Sequence, residues 1–211
     1  MRVVVPFAAE RPKTRLDGVL SADERDAFAR AMLRDVLAAL EAAGHDPELL
    51  ATAPVEVDVP VTVDERPLTE AVNAVLSETV AAGGEGVAVV MADLALATPA
   101  TLDRLFAAEG DVVLAPGRGG GTNALLVRHP DFRVDYHGAS IRDHRRIAAD
   151  AGAAVTDLDS MRLSTDVDEP ADLVEVLLHG DGESYDWLVE ASFELDVTDG
   201  RVGVVREKPL D

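Results

Sequence analysis

Short valine-rich runs alternate with stretches of helical periodicity along most of this chain, and that alternation limits the fold more than any other feature. A strand that feeds a helix and then another strand builds parallel pairs, so the pattern predicts an α/β domain with a mostly parallel sheet. Arg2–Val5, Glu48–Ala53, Val61–Val63, Gly86–Met91, Asp111–Ala115, Ala124–Val127 and Ala154–Asp157 read as strands. Gly86–Met91 is almost wholly apolar, which places it centrally, covered on both faces. Helices are expected over Ser21–Ala43, Leu68–Ala82, Leu102–Ala108, Ser140–Ala151 and Asp172–Leu178. The first has Ser21 as N-cap with Glu24 three residues on, a capping box, and then Phe28, Met32, Val36 and Leu40 along one face. After Gly180 the pattern changes. Thr198-Asp199-Gly200 between alternating apolar residues signals a hairpin, so residues 1–180 read as one domain and 181–211 as an appendage.

An apolar content of 47% supplies a sizeable core, and no run approaches the roughly 18 apolar residues of a membrane span. The N-terminal residues read as a first strand, not a signal peptide, and the expected location is the cytoplasm. With no cysteine, disulfides and thiolate metal sites are excluded. The formal net charge is −21, a surface that repels nucleic acid. Lys13 and Lys208 are the only lysines. Acid-rich, lysine-poor chains of this kind resemble proteins of salt-loving microbes, whose carboxylates hold water while salt screens their repulsion.

Five segments carry chemistry. The loop after the first strand holds Arg11, Lys13 and Arg15, a cationic island where open α/β sheets bind ligands and where a triphosphate would be drawn. Asp93 ends the apolar strand, where a carboxylate is costly unless paired or metal-bound, and magnesium suits one or two carboxylates with phosphate oxygens. Thr98 is the better cap for the following helix. Gly119-Gly120-Gly121 lets backbone amides converge on an anion, with Thr122 and Asn123 beside it. His137 precedes Ser140, the expected N-cap of a helix whose free amides suit a carboxylate or phosphate. His144, Arg145 and Arg146 on that helix read as solvated. Last, Asp166, Asp168 and Glu169 crowd together. Asp168 is explicable as an N-cap, but Asp166 has no such duty, and with Asp93 these acids suit one magnesium ion.

Taken in order over about residues 1–178, these segments resemble the 2-phospholactate guanylyltransferase family. Lys13-Thr14-Arg15-Leu16, Asp93-Leu94-Ala95-Leu96, Gly120-Gly121-Thr122-Asn123 and Asp166–Leu173 carry the likeness. Departures are Ala8 where many relatives have lysine, Ala95 for a proline, and His137 where glycine is usual. The resemblance implies a three-layer α/β/α sandwich of the nucleotide-diphospho-sugar transferase (Rossmann-like) type. It implies Asp93 and Asp166, assisted by Asp168, as holders of Mg2+, and Lys13 and Arg15 on the triphosphate of GTP. Asn73 would lie near the nucleotide, and Thr122, Asn123, His137 and Ser140 would receive a small phosphorylated carboxylic acid, 2-phospho-L-lactate or phosphoenolpyruvate. A homodimer is the default expectation. The alternatives are a molybdopterin guanylyltransferase-like enzyme, a metal-dependent glycosyltransferase using Asp166-Val167-Asp168, and a non-catalytic nucleotide sensor.

Overall fold

In a computed structural model of the chain, which describes residues 1–10, 12–198, 200 and 202–206, seven strands form one sheet. They are β1 (Arg2–Phe7), β2 (Pro47–Ala51), β3 (Val61–Val63), β4 (Val87–Val90), β5 (Val112–Pro116), β6 (Thr122–Val127) and β7 (Val155–Asp157). Their order is β3-β2-β1-β4-β6-β5-β7. All neighbours are parallel except β6, which runs against both β4 and β5.

Alternation along β1 shows why the sheet is covered twice. Val3, Val5 and Phe7 face one apolar cluster with α1 (Ala22–Ala42) and α3 (Pro99–Ala107). Val4 faces the other, with α2 (Leu68–Thr79) and α4 (Ser140–Asp150). Successive strand side chains point to opposite faces, so a continuous valine run needs two helical layers. The expected three-layer sandwich with a largely parallel sheet is what forms.

The capping box of α1 forms as expected between Ser21 and Glu24. Phe28, Met32, Val36 and Leu40 are all fully buried, but α1 is apolar on two sides. Val36 and Leu40 meet the sheet, whereas Phe28 and Met32 turn to a third cluster with Leu173, Val176 and Leu188. That cluster is built with α6 (Leu173–His179), α7 (Glu183–Glu190) and the antiparallel pair β8 (Phe193–Asp196) and β9 (Gly203–Arg206). Trp187 packs on Phe28, ring centroids 5.1 Å apart. Full burial of the Phe28 ring contributes about 1.5–3 kcal/mol.

Helix α7 corrects the expectation of helices ending at Leu178, and the short α5 (Met161–Ser164) was not foreseen either. The anticipated hairpin exists as β8 and β9, while Asp199, expected in its turn, and Arg201, expected to open its second strand, lie outside the described residues. The cap of α7 comes from another helix. Asp35 on α1 accepts from the amides of Glu183 at 2.6 Å and Ser184 at 2.9 Å and from the Ser184 hydroxyl. Gly182 passes so close to that carboxylate that any Cβ there would overlap it. Thr98 caps α3, as expected. Among the described residues no helix is long and apolar enough to cross a membrane.

Candidate active site

The carboxyl ends of β1, β2, β3 and β4 open into a cleft of about 450 Å³. Its lining includes Lys13, Arg15, Thr52, Asp64, Arg66, Asp93 and Asp168. Parallel strands deliver their following loops to one edge of a sheet, and that edge is where such folds bind ligands.

Lys13 is the centre of the cleft's charge. Its ammonium donates to Asp93 Oδ2 at 2.6 Å and to Asp168 Oδ1 at 2.7 Å, with only 11% of the side chain exposed. Burial works to lower its pKa, but the two carboxylates outweigh it and hold the value above the ordinary lysine range. The backbone of Lys13 is left-handed, φ 53°, unusual for a residue with a Cβ. Its carbonyl accepts from Leu16 in a turn of 3₁₀ helix, and buried Leu16 anchors that turn in the third core cluster. Arg15 is exposed and reaches Asp168 at 3.3 Å. Arg11, the third member of the expected island, lies outside the described residues.

The acidic segment comes to β4 through the main chain, since Val167 N–H donates to the Asp93 carbonyl at 3.2 Å. Val167 is buried among apolar side chains, and the two aspartates flank it. Asp168 is not an N-cap. Glu169 takes that position, and the Asp172 carboxylate accepts from the amides of both Asp168 and Glu169, which leaves the Asp168 side chain to Lys13 and Arg15. Asp166 accepts from Asn123 Nδ2 at 3.0 Å. Its pKa is raised, chiefly by burial, with Asp93 and Asp168 adding repulsion and the Asn123 bond opposing.

Among the described residues no three histidine, aspartate or glutamate side chains form a ready-made metal cage. The residues nonetheless fit a hard cation. Asp93 Oδ1 is buried without a hydrogen-bond partner, a costly state that an oxygen-seeking ion would relieve. The Lys13 ammonium is itself a cation held between two of the candidate ligands.

The glycine loop brings Thr122 and Asn123 to opposite faces of β6, both nearly fully buried. Asn123 Nδ2 spans to Leu163 O and Asp166, and Gly117 lies against its amide so closely that a Cβ would overlap it. Thr122 meets Ser140 at 3.4 Å and the His144 ring at 2.8 Å. Ser140 is not the cap of α4. It is the first residue of the helix, with Ala139 in the cap position making no side-chain bond. His144 is not solvated either, being fully buried, whereas Arg145 and Arg146 are exposed, in ion pairs. His137 is exposed and paired with Asp135, which raises its pKa. Asn73 is occupied elsewhere, its amide bonded to both N–H and C=O of Val134 at 2.8 and 2.9 Å.

The cleft also holds three residues not anticipated, Thr52, Asp64 and Arg66, which follow β2 and β3. The rule that ligands bind beyond strand carboxyl ends was the signal that could have found them. His144 could have been found from its spacing, three residues after buried Ile141 and four before buried Ala148.

Comparison with known proteins agrees with the expected likeness. The family model described as "Guanylyl transferase CofC like" matches residues 1–207. The 2-phospho-L-lactate guanylyltransferase of Halomicrobium mukohataei is 70% identical over 206 residues, covering 98% of this chain and all of that one. Among solved structures, a protein from Desulfovibrio desulfuricans, described as a nucleotide-diphospho-sugar transferase, superposes with a TM-score of 0.70 at 18% identity, over 90% of this chain and 95% of that one. A nucleotidyl transferase from Methanothermobacter gives 0.59 at 16% identity, over 84% and 96%. These two distant likenesses concern the fold.

Proposed function

The chain belongs to the family of CofC-like guanylyl transferases, and from that premise we propose how its own residues carry the reaction. It is a 2-phospho-L-lactate guanylyltransferase acting in coenzyme F-420 biosynthesis, a nucleotidyltransferase that moves GMP from GTP to 2-phospho-L-lactate. The products are lactyl-2-diphospho-5'-guanosine and pyrophosphate.

One acceptor phosphate oxygen forms a bond to the α-phosphorus of GTP while the bond between that phosphorus and the β-phosphate bridging oxygen breaks. The acceptor phosphate is already an anion and needs no general base. The obstacle is charge, because a dianion must approach a tetra-anion. The observation that carries the assignment of roles is the Lys13 ammonium, held between Asp93 and Asp168 in the wall of the cleft. Lys13, with Arg15 and Arg11, neutralises the departing pyrophosphate, and Asp64 and Arg66 border the nucleotide's space. Asp93 and Asp166, with Asp168, are the residues that would hold Mg2+. When bound, the ion would supply positive charge against the phosphate oxygens of an in-line displacement. Thr122, Ser140 and the polar rim at His137 receive the acceptor. Asn123 holds Asp166 in place and thereby serves the metal side of the site. Positioning and electrostatics supply the rate. The enzyme works in the cytoplasm, as a homodimer, a state light scattering would check.

A pyrophosphate-release assay in molar potassium chloride, crossing four nucleoside triphosphates with 2-phospholactate, phosphoenolpyruvate and 3-phosphoglycerate, tests this reading. Turnover is expected with GTP and 2-phospholactate, and silence in every combination would sink it.

A further inference from the structure

His144 belongs to neither the cleft lining nor the metal side, yet it is a fully buried polar group with every contact specified. The amide of Asp135 donates to Nε2 at 2.9 Å, so Nε2 carries no proton. In a neutral ring the proton then lies on Nδ1. Nδ1 stands 2.8 Å from Thr122 Oγ1 and donates to it. The charged form is disfavoured, foremost by burial, with the pKa lowered to about 4, so the ring is neutral near pH 7. Of the charged groups facing it, Asp135 and Asp143 pull the other way and do not prevail. The edges of Phe132 and Tyr136 fix the ring, with centroids 6.0 and 5.1 Å away at steep angles.

This arrangement has a consequence for the hydroxyls beyond it. Thr122 Oγ1 already accepts from the ring, so its own hydrogen points elsewhere. Ser140 Oγ lies 3.4 Å off. If Ser140 donates to Thr122, the Thr122 hydrogen is free to donate. If Thr122 donates to Ser140, the Ser140 hydrogen is free instead. In both orientations the pair has one O–H to offer, and the ring nitrogen accepts from neither hydroxyl. The glycine loop is held beside this pair, since Ile141 N–H donates to Gly120 O at 3.2 Å.

We propose that His144 is a positioning residue for the acceptor, locking Thr122 and Ser140 as a hydroxyl pair that donates to the acceptor's anionic oxygens. The proposal rests on the reading above that these two hydroxyls receive the acceptor. A hydrogen bond to an anion is stronger than one between neutral groups, so losing its alignment weakens acceptor binding more than it weakens the fold.

The test compares His144→Phe, His144→Asn, Thr122→Val and the double variant His144→Phe/Thr122→Val in steady-state kinetics at molar salt. His144→Phe is expected to raise the KM for 2-phospholactate roughly tenfold or more and to leave that for GTP within about twofold. His144→Asn, which keeps a donor toward Thr122, recovers much of the loss. The double variant is expected to be no worse than Thr122→Val, because two groups acting through one contact are not additive. If Thr122→Val raises the acceptor KM and His144→Phe does not, His144 has only a packing role and the proposal fails while the acceptor site stands. If Thr122→Val itself changes nothing, the acceptor site is elsewhere and both ideas fall. Nitrogen NMR on wild-type protein with labelled histidine guards against variants that do not fold. It should show a neutral, Nδ1-protonated ring whose Nδ1 signal moves when 2-phospholactate is added. An Nε2-protonated ring, or a signal that ignores the acceptor, overturns the proposal.

Discussion

Asp93 is satisfied on one oxygen only, by Lys13, and leaves the other buried without a partner. Asp93→Asn keeps the shape and removes the charge. It is expected to reduce turnover on the order of a hundredfold or more, with a circular dichroism spectrum like that of the wild type. His144 gives a second prediction, on stability. Its folded pKa of about 4 lies below the ordinary 6.5, so the unfolded chain binds the extra proton. The stabilisation is present above about pH 6.5 and is lost as pH falls toward about 4, amounting to at most about 3 kcal/mol. Urea unfolding across that range should show this slope in the wild type and a flatter one in His144→Asn. Lys13 and Asp93 were legible as cleft residues because lysine is scarce here and an acid at the end of an apolar strand needs a cation, whereas Asp168 read as an N-cap and proved to be the partner of Lys13 and Arg15. Ser140 misled because a serine before a helical run looks like a cap, whereas its hydroxyl faces Thr122. Nothing in the local sequence records that a side chain eighteen residues away competes for it.

At the scale of elements, α7 depends on a cap it does not contain. Asp35→Ala removes the acceptor for two of its first amides and should cost on the order of 2 kcal/mol, visible as a lower unfolding midpoint and faster amide exchange at Glu183 and Ser184. Gly182→Ala should produce a similar loss by pushing that carboxylate away. Gly117→Ala differs in kind. Its Cβ would displace the Asn123 amide from Asp166, so activity should fall more than the melting temperature does. Helix α7 escaped the sequence because its cap lies on α1, far away in the chain. The hairpin after it was visible because its turn chemistry is local.

For the whole molecule, a net charge of −21 means that the folded state works against its own repulsion. Its thermal midpoint is expected to rise as potassium chloride is raised from about 0.1 M to molar levels, where the Debye length falls to about 3 Å. A midpoint indifferent to salt would contradict this. The α/β architecture was legible because the periodicities of strand and helix differ. The direction of β6 was not, since an apolar run reads the same whichever way it is threaded. That reversal has a consequence for how the enzyme can change over generations. Because β6 runs against β4, it begins at the edge where β4 ends, and its opening residues point to opposite faces there, Thr122 toward α4 and Asn123 toward Leu163 and Asp166. Sliding β6 by one residue against β4 and β5 would exchange those two directions, sending the amide to the histidine and the hydroxyl to the aspartate. Within the loop that sets this phase, Gly117 is held to glycine by the Asn123 amide against it, while Gly119, with open space around it, is free to vary.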